Sequence, residues 1–171
     1  VEFIEASIEK LPMADHSVDV IISFETIEHV PEAVQWKFLD EIARVLKEDG
    51  ILVMSTPNKE IYSDRPNYHN EFHIKEFYQK EFLAFLSTRF SQIKLYNQFF
   101  ENVCIVTDDT GTAQSGYFCP KEYLQEAKYY IAVAGNRQIT PLRLSHVYVS
   151  PEHDYSMRIA RILQLQEEVN T

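Results

Sequence analysis

Two short apolar runs, Val18 to Ser23 (VDVIIS) and Ile51 to Ser55 (ILVMS), flank a single amphipathic segment. No other feature of the 171 residues constrains the fold as much. Each run is nearly all apolar, the pattern of a parallel strand buried on both faces. Between them, Phe38, Leu39, Ile42, Val45 and Leu46 recur at helical spacing. Pro31 stands where a first helical position is expected, and Glu32 behind it favours the positive end of the helix dipole. Gly50 follows the last turn as a stop. Strand, helix and strand in this order make a βαβ crossover, so the expected class is α/β with a parallel sheet.

The remaining segments extend that sheet. Val1 to Ile4 is branched and apolar enough for a short strand. A long polar and aromatic connection runs from Lys59 to about Ile74, and Tyr78, Phe82, Phe85 and Leu86 then mark a second amphipathic helix. Ile93 and Leu95 alternate with polar neighbours, which predicts an antiparallel or edge strand. Asp108 to Gly116 reads as a mobile loop, and Tyr129 to Ala134 returns as a strand closed by Gly135 and Asn136. In the tail, Tyr155, Ile159, Ile162, Gln166 and Val169 form a short heptad-like seam. That seam predicts a terminal helix, packed on its own domain or reaching toward another copy or a further domain. The expected organisation is a domain over 1–135 and a carboxyl-terminal extension over 136–171.

Composition excludes several functions. The four glycines (Gly50, Gly111, Gly116 and Gly135) are too dispersed for a dinucleotide fingerprint, and none opens a P-loop. Sixteen basic against 26 acidic residues give a net charge of −10, which disfavours nucleic acid and anionic lipid as partners. Two cysteines, Cys104 and Cys119, supply neither a disulfide framework nor a thiolate zinc site, and suit a reducing, cytoplasmic setting. No apolar run is long enough to span a bilayer. The first residue is Val1 rather than Met, which raises the expectation of removed upstream sequence.

In open α/β sheets, ligands bind beyond the carboxyl ends of the strands. That rule selects Glu5 to Lys10, Phe24 to His29, and the chain from Thr56 onward. Glu25 and His29 are four apart and would share a face on a helical turn, making His29 a candidate general base. The plainer alternative is a helix-entry histidine bonded to a neighbouring carboxylate. His69 and His73 are also four apart, a metal-ligand spacing if helical. Asn70 occupies the place where a zinc protease needs Glu, so a surface or substrate-facing loop is the favoured reading and no metal is expected.

The ordered motifs Leu11-Pro12, Ser17-Val18-Asp19, Glu28-His29-Val30, Arg44-Val45-Leu46-Lys47 and Gly50 resemble the class I S-adenosylmethionine-dependent methyltransferases, over roughly residues 1–98. The runs STPNKEIYSD and NEFHIKEF resemble a subgroup found with bacterial glycosyltransferases and surface-polysaccharide pathways. The resemblance implies a Rossmann-like sheet ordered 3-2-1-4-5-7-6. Val1 to Ile4 would be its third strand, Val18 to Ser23 its fourth and Ile51 to Ser55 its fifth. The last two would lie near Ile93 and Tyr129.

The first two strands and the glycine-rich loop of that family have no counterpart here, so the chain resembles its carboxyl-terminal two-thirds. The resemblance further implies S-adenosylmethionine as cofactor, with Ser7 and Ile8 edging the adenine and Ser23, Phe24 and Glu25 lining the cleft. Many relatives carry Asp at the place of Ser7, whose hydroxyl can accept a hydrogen bond without charge. Methyl transfer to a small molecule or sugar is the implied reaction, with His29, His69 and His73 as candidate bases. For the isolated chain, weak or absent cofactor binding is expected.

Two other readings remain. The chain could be a non-catalytic Rossmann-like module serving binding or assembly, which a start codon directly before Val1 would favour. It could also share the architecture of a nicotinamide-dependent enzyme, which a preference for NAD over S-adenosylhomocysteine would reveal.

Overall fold

A computed structural model describes residues 2–98 and 127–140. The elements are β1 (Val18–Ser23), a 3-10 turn (Ile27–His29), α1 (Glu32–Val45), β2 (Leu46–Pro57), a π-helical turn (Glu60–Asp64), α2 (Gln79–Ser87), β3 (Gln92–Gln98) and β4 (Tyr129–Gly135). The strands form one sheet in the order β1-β2-β4-β3. β1 and β2 are parallel and joined through α1, while β4 runs antiparallel to both β2 and β3. This is the 4-5-7-6 portion of the expected strand order. β3 is antiparallel and at an edge, as its alternation predicts.

One core lies beneath the two helices. Leu52 and Met54 of β2 and Tyr130, Ala132 and Ala134 of β4 face it from the sheet. Phe38, Leu39 and Ile42 of α1 and Phe82, Phe85 and Leu86 of α2 close it from above. The i, i+3, i+4 spacing of the helices and the alternation of the strands therefore meet on one surface.

Four expectations need correction. Residues 2–6 form no strand, and Phe3 is 93% exposed. In the family order a third strand pairs with a second, and no second strand exists among the described residues to offer it a ladder. Among the described residues β1 is an edge strand rather than a central one, and none of them covers its face away from the helices, where Val20 and Ile22 stand 52% and 67% exposed. Pro31 is the residue before α1 rather than its first position.

The fourth concerns Gly50. The helix ends at Val45, and Gly50 lies inside β2, at an irregularity in its pairing with β1. A Cβ there would come within 2.9 Å of Leu46 Cδ2 and 3.0 Å of the Lys47 carbonyl oxygen. A Cβ on Gly135 would in turn come within 2.9 Å of the Gly50 carbonyl oxygen. Both glycines answer to close backbone approach rather than to a helix cap.

The amino-terminal end of the β1–β2 pair is held by Arg44. Its guanidinium donates to Glu41, to Asp15 and to the carbonyls of Leu11 and Met13. Glu41 also accepts the Leu11 N–H at 2.7 Å. Among the described residues no helix is long and apolar enough to cross a membrane. The Asp108 to Gly116 segment, Cys104, Cys119 and the Tyr155 to Val169 seam lie outside the described residues.

Candidate active site at the carboxyl-terminal strand ends

The chain leaves β1 through a forced turn. Glu25 has φ of 48°, a left-handed conformation that costs a non-glycine residue about 1–2 kcal/mol. The turn is anchored to β2, because the Glu25 N–H donates to Ser55 Oγ at 3.0 Å and the Ser55 hydroxyl donates to Glu25 Oε1 at 2.7 Å. Burial raises the Glu25 carboxyl, against the Ser55 hydrogen bond and the attraction of His73 and His29. The expected Glu25–His29 face does not form, because the residues between them make a 3-10 turn rather than a continuous helix.

That turn seats Glu28 inside the protein and His29 at its surface. A second segment, 69–76, docks against it. The Glu28 carbonyl accepts the Ile74 and Lys75 N–H groups at 2.8 and 3.1 Å. Gln35, buried on α1, donates from Nε2 to the Ile27 and Lys75 carbonyls at 2.8 and 2.9 Å, clamping both segments to the helix. Docking brings His29 and His73 edge to face, with ring centroids 4.9 Å apart. Tyr62 stacks on His73 at 5.2 Å.

Both imidazoles are oriented through Nδ1. His29 donates from Nδ1 to the Phe72 carbonyl at 2.8 Å, since a carbonyl can only accept. His73 bonds through Nδ1 to Glu76 Oε1, and the Ser63 hydroxyl donates to Glu76 Oε2 at 2.6 Å. In the neutral form each ring therefore keeps a lone pair on Nε2.

Beside them the Glu28 side chain is fully buried and neither carboxylate oxygen has a hydrogen-bond partner. Its carboxyl is raised to about 7, first by burial and then by the negative charges of Glu25 and Glu76, against its own backbone N–H and the attraction of His29. Five buried side-chain polar atoms lack partners among the described residues. Four of them, on Ser23, Thr56 and Glu28, gather at this end of the sheet. Leaving such atoms unmet costs about 1–3 kcal/mol each.

Of the residues singled out in the sequence, His29, His73 and Glu25 come together here. His69 does not join them. It is exposed and lines an open depression of about 440 Å³ with Lys59, Tyr68, His73 and Glu76. The stretch carrying His69 and His73 is not helical, so their spacing places no common face. Ser7 and Ile8 sit in a tight turn of their own. Ser7 Oγ accepts the Glu9 N–H at 3.2 Å, and Ile8 packs partly against the core. Ser23 is buried with its hydroxyl unpaired, and Phe24 stands 52% exposed at the strand end.

Sequence reasoning did not rank Glu28, Gln35, Ser55 or Glu76 as site residues. Glu28 alone carried a signal, an acid directly before a histidine beyond a buried strand. Ser55 and Gln35 reach partners up to 40 residues away and left none, while Glu76 holds His73 from three residues on, a spacing that the irregular backbone there gave no reason to single out.

Residues 1–54 match a family model described as a methyltransferase domain. A probable S-adenosylmethionine-dependent methyltransferase of Mycobacterium tuberculosis (strain ATCC 25618 / H37Rv) is 40% identical over 87 residues, covering 50% of this chain and 31% of that protein. A relative in Mycolicibacterium smegmatis is 36% identical over 89 residues, covering 52% of this chain and 34% of its own length. The chain thus spans about a third of the length of the curated relatives it matches.

Among solved structures, a SAM-dependent methyltransferase of Thermotoga maritima superposes with a TM-score of 0.55 at 18% identity, covering 78% of this chain and 63% of the other. The PH0226 protein of Pyrococcus horikoshii OT3 gives a TM-score of 0.53 at 16% identity, covering 80% and 60%. In its matching residues the chain is similar to S-adenosylmethionine-dependent methyltransferases, and in its fold to solved structures of that class.

Proposed function

We propose that the protein containing this chain transfers a methyl group from S-adenosylmethionine to a small-molecule or sugar acceptor at the carboxyl-terminal ends of β1 and β2. The observation that carries this reading is the cluster of Glu25, Glu28, His29 and His73 at those ends, with the unpaired Ser23 hydroxyl beside the strand exit. The residues present fit one wall of a cofactor cleft. Ser23, Phe24 and Glu25 would line it, and the Ser7 hydroxyl and Ile8 would edge the adenine. When bound, the cofactor supplies an activated methyl group whose departure leaves a neutral thioether, so no protein cation is needed for a leaving anion.

This chain's own task is positioning and the acceptor's proton. An acceptor held against the strand ends gains the advantage of proximity. A hydroxyl acceptor must lose its proton, and Nε2 of His29 or His73 is oriented to help remove it. His69 serves the rim of the neighbouring depression in this reading. A cytoplasmic, surface-polysaccharide setting is the biological context supported by the STPNKEIYSD and NEFHIKEF runs and by the cysteine usage. The Tyr155 to Val169 seam is the proposed contact to another copy or domain.

The test uses the protein encoded by the whole gene. Calorimetric titration should show S-adenosylhomocysteine binding and no comparable binding of NAD. With methyl transfer to a panel of sugars and small hydroxylated molecules as readout, His29→Ala should lower kcat by roughly 10²–10⁴-fold and leave cofactor affinity unchanged. A protein that prefers NAD, or binds neither molecule, would overturn the reading.

A further inference from the structure

Glu28, His29 and His73 each offer one donor atom within 4.8 Å of the other two. We propose that these three side chains form a binding site for a divalent first-row metal ion, with Glu25 as a further carboxylate at its rim.

The first support is chemical. Two imidazoles and one carboxylate with an open side form a donor set that suits Mn²⁺, Fe²⁺, Co²⁺ or Zn²⁺. The second is orientation. A metal-binding histidine usually donates its other ring N–H to a carbonyl or carboxylate, which fixes tautomer and ring angle. Both arrangements occur here, with Phe72 O behind His29 and Glu76 behind His73. Glu76 is itself buried and held by Ser63, so the outer layer is complete.

The third support is the carboxylate. Glu28 is buried with no hydrogen bond to either oxygen, and its one printed counter-charge is His29 Nε2, 3.8 Å from Oε1, so its burial is costly as it stands. A cation supplies the missing partner. Bonds of about 2.1 Å place neighbouring donors about 3 Å apart, so the cluster closes by roughly 1–2 Å on binding. His29 is exposed and has room to make that movement.

The site's existence does not depend on the methyl-transfer reading. Its use does rest on that reading. An ion on these donors has positions left for an oxygen of the acceptor, and coordination lowers the pKa of a bound hydroxyl. The acceptor would then be an oxygen nucleophile; with both Nε2 atoms held on the ion, its proton passes to Glu25 instead of to an imidazole as its oxygen bonds to the methyl carbon and the neutral thioether leaves.

The experiment uses the untagged chain, stripped with EDTA and titrated with CoCl2 by visible absorption and with MnCl2 by calorimetry. One ion per chain should bind. His29→Ala and Glu28→Gln should each weaken binding at least tenfold, and Glu76→Gln by roughly 10–100-fold. His69→Ala should leave it unchanged. Circular dichroism establishes that each variant is folded, and His29→Ala alters an exposed side chain, so at least that variant reports on binding alone.

No stoichiometric binding, or binding indifferent to His29→Ala and Glu28→Gln, would overturn the site. So would loss of binding in His69→Ala, which would assign the ion to the His69–His73 spacing. Because cofactor binding is measured separately on the whole protein, failure of the metal site and failure of the methyltransferase reading give different results.

Discussion

Around Arg44, at the amino-terminal end of β1 and β2, the charged groups have partners. Glu41 receives three hydrogen bonds, and ion pairing with Arg44 and the Leu11 N–H holds its carboxyl down at about 2. At the other end of the same two strands, Glu28 has no hydrogen bond to either oxygen, and burial pushes its carboxyl up to about 7. Both ends fasten flanking segments to the sheet, but only one leaves polar atoms unmet. The physics separates a clasp, which is satisfied within the chain, from a socket, whose buried oxygens lack hydrogen bonds among the described residues.

Gln35 offers the largest disturbance of the socket. Replacing it with Leu removes both hydrogen bonds that tie Ile27 and Lys75 to α1 and leaves two carbonyls without their donor. The expected loss is about 2–4 kcal/mol in urea unfolding, at 1–3 kcal/mol per unmet group with some relaxation. A loss below about 1 kcal/mol would mean that segment 69–76 docks without the clamp, and the contrast between the two ends would weaken.

A smaller change of opposite sign is expected at Glu28. Glu28→Met keeps roughly the volume and removes the unpartnered carboxylate. In EDTA this variant should be more stable than the parent chain by about 1–3 kcal/mol, because the buried oxygens no longer need solvation. Urea midpoints at fixed pH read the effect directly. A destabilised variant would show that Glu28 is satisfied in solution, and the socket would become another clasp.

These two residues also mark how far the sequence can be read. The βαβ unit was legible because Val18 to Ser23 and Ile51 to Ser55 are apolar throughout and Phe38, Leu39 and Ile42 keep a helical period. The sheet order followed from the resemblance and was found for β1-β2-β4-β3. The edge position of β1 was less visible, because an apolar run looks the same whether its neighbours are present or not.

At the site, His29 and Glu25 were selected by their place after a strand, and His73 by its spacing from His69. Their true relation, His73 against His29 rather than beside His69, depends on the Glu28 carbonyl holding a segment 45 or more residues away. Gln35 carries no local signal at all, since a polar residue on a helix ordinarily faces water. Long-range hydrogen bonds to backbone are what the sequence conceals here.

The clasp should yield the smallest effect and the cleanest sign. Glu41 has a folded-state pKa near 2, below its ordinary value of 4.5, so its ionised form is favoured by folding. Its contribution is fully present above pH 4.5, and is lost as the pH falls through that window toward 2. Thermal melts between pH 6 and pH 2, taken on the parent chain and on Glu41→Gln, should therefore converge as the pH drops. The gap at pH 6 should be modest, because the pair stands near solvent, and it should narrow further in high salt. Melting temperatures that stay equally far apart from pH 6 to pH 2 would show that Glu41 acts through the geometry of its hydrogen bonds to Arg44 and Leu11 and not through its charge. In that case the amino-terminal end would differ from the carboxyl-terminal end in hydrogen bonding alone, and the electrostatic half of the comparison would fall.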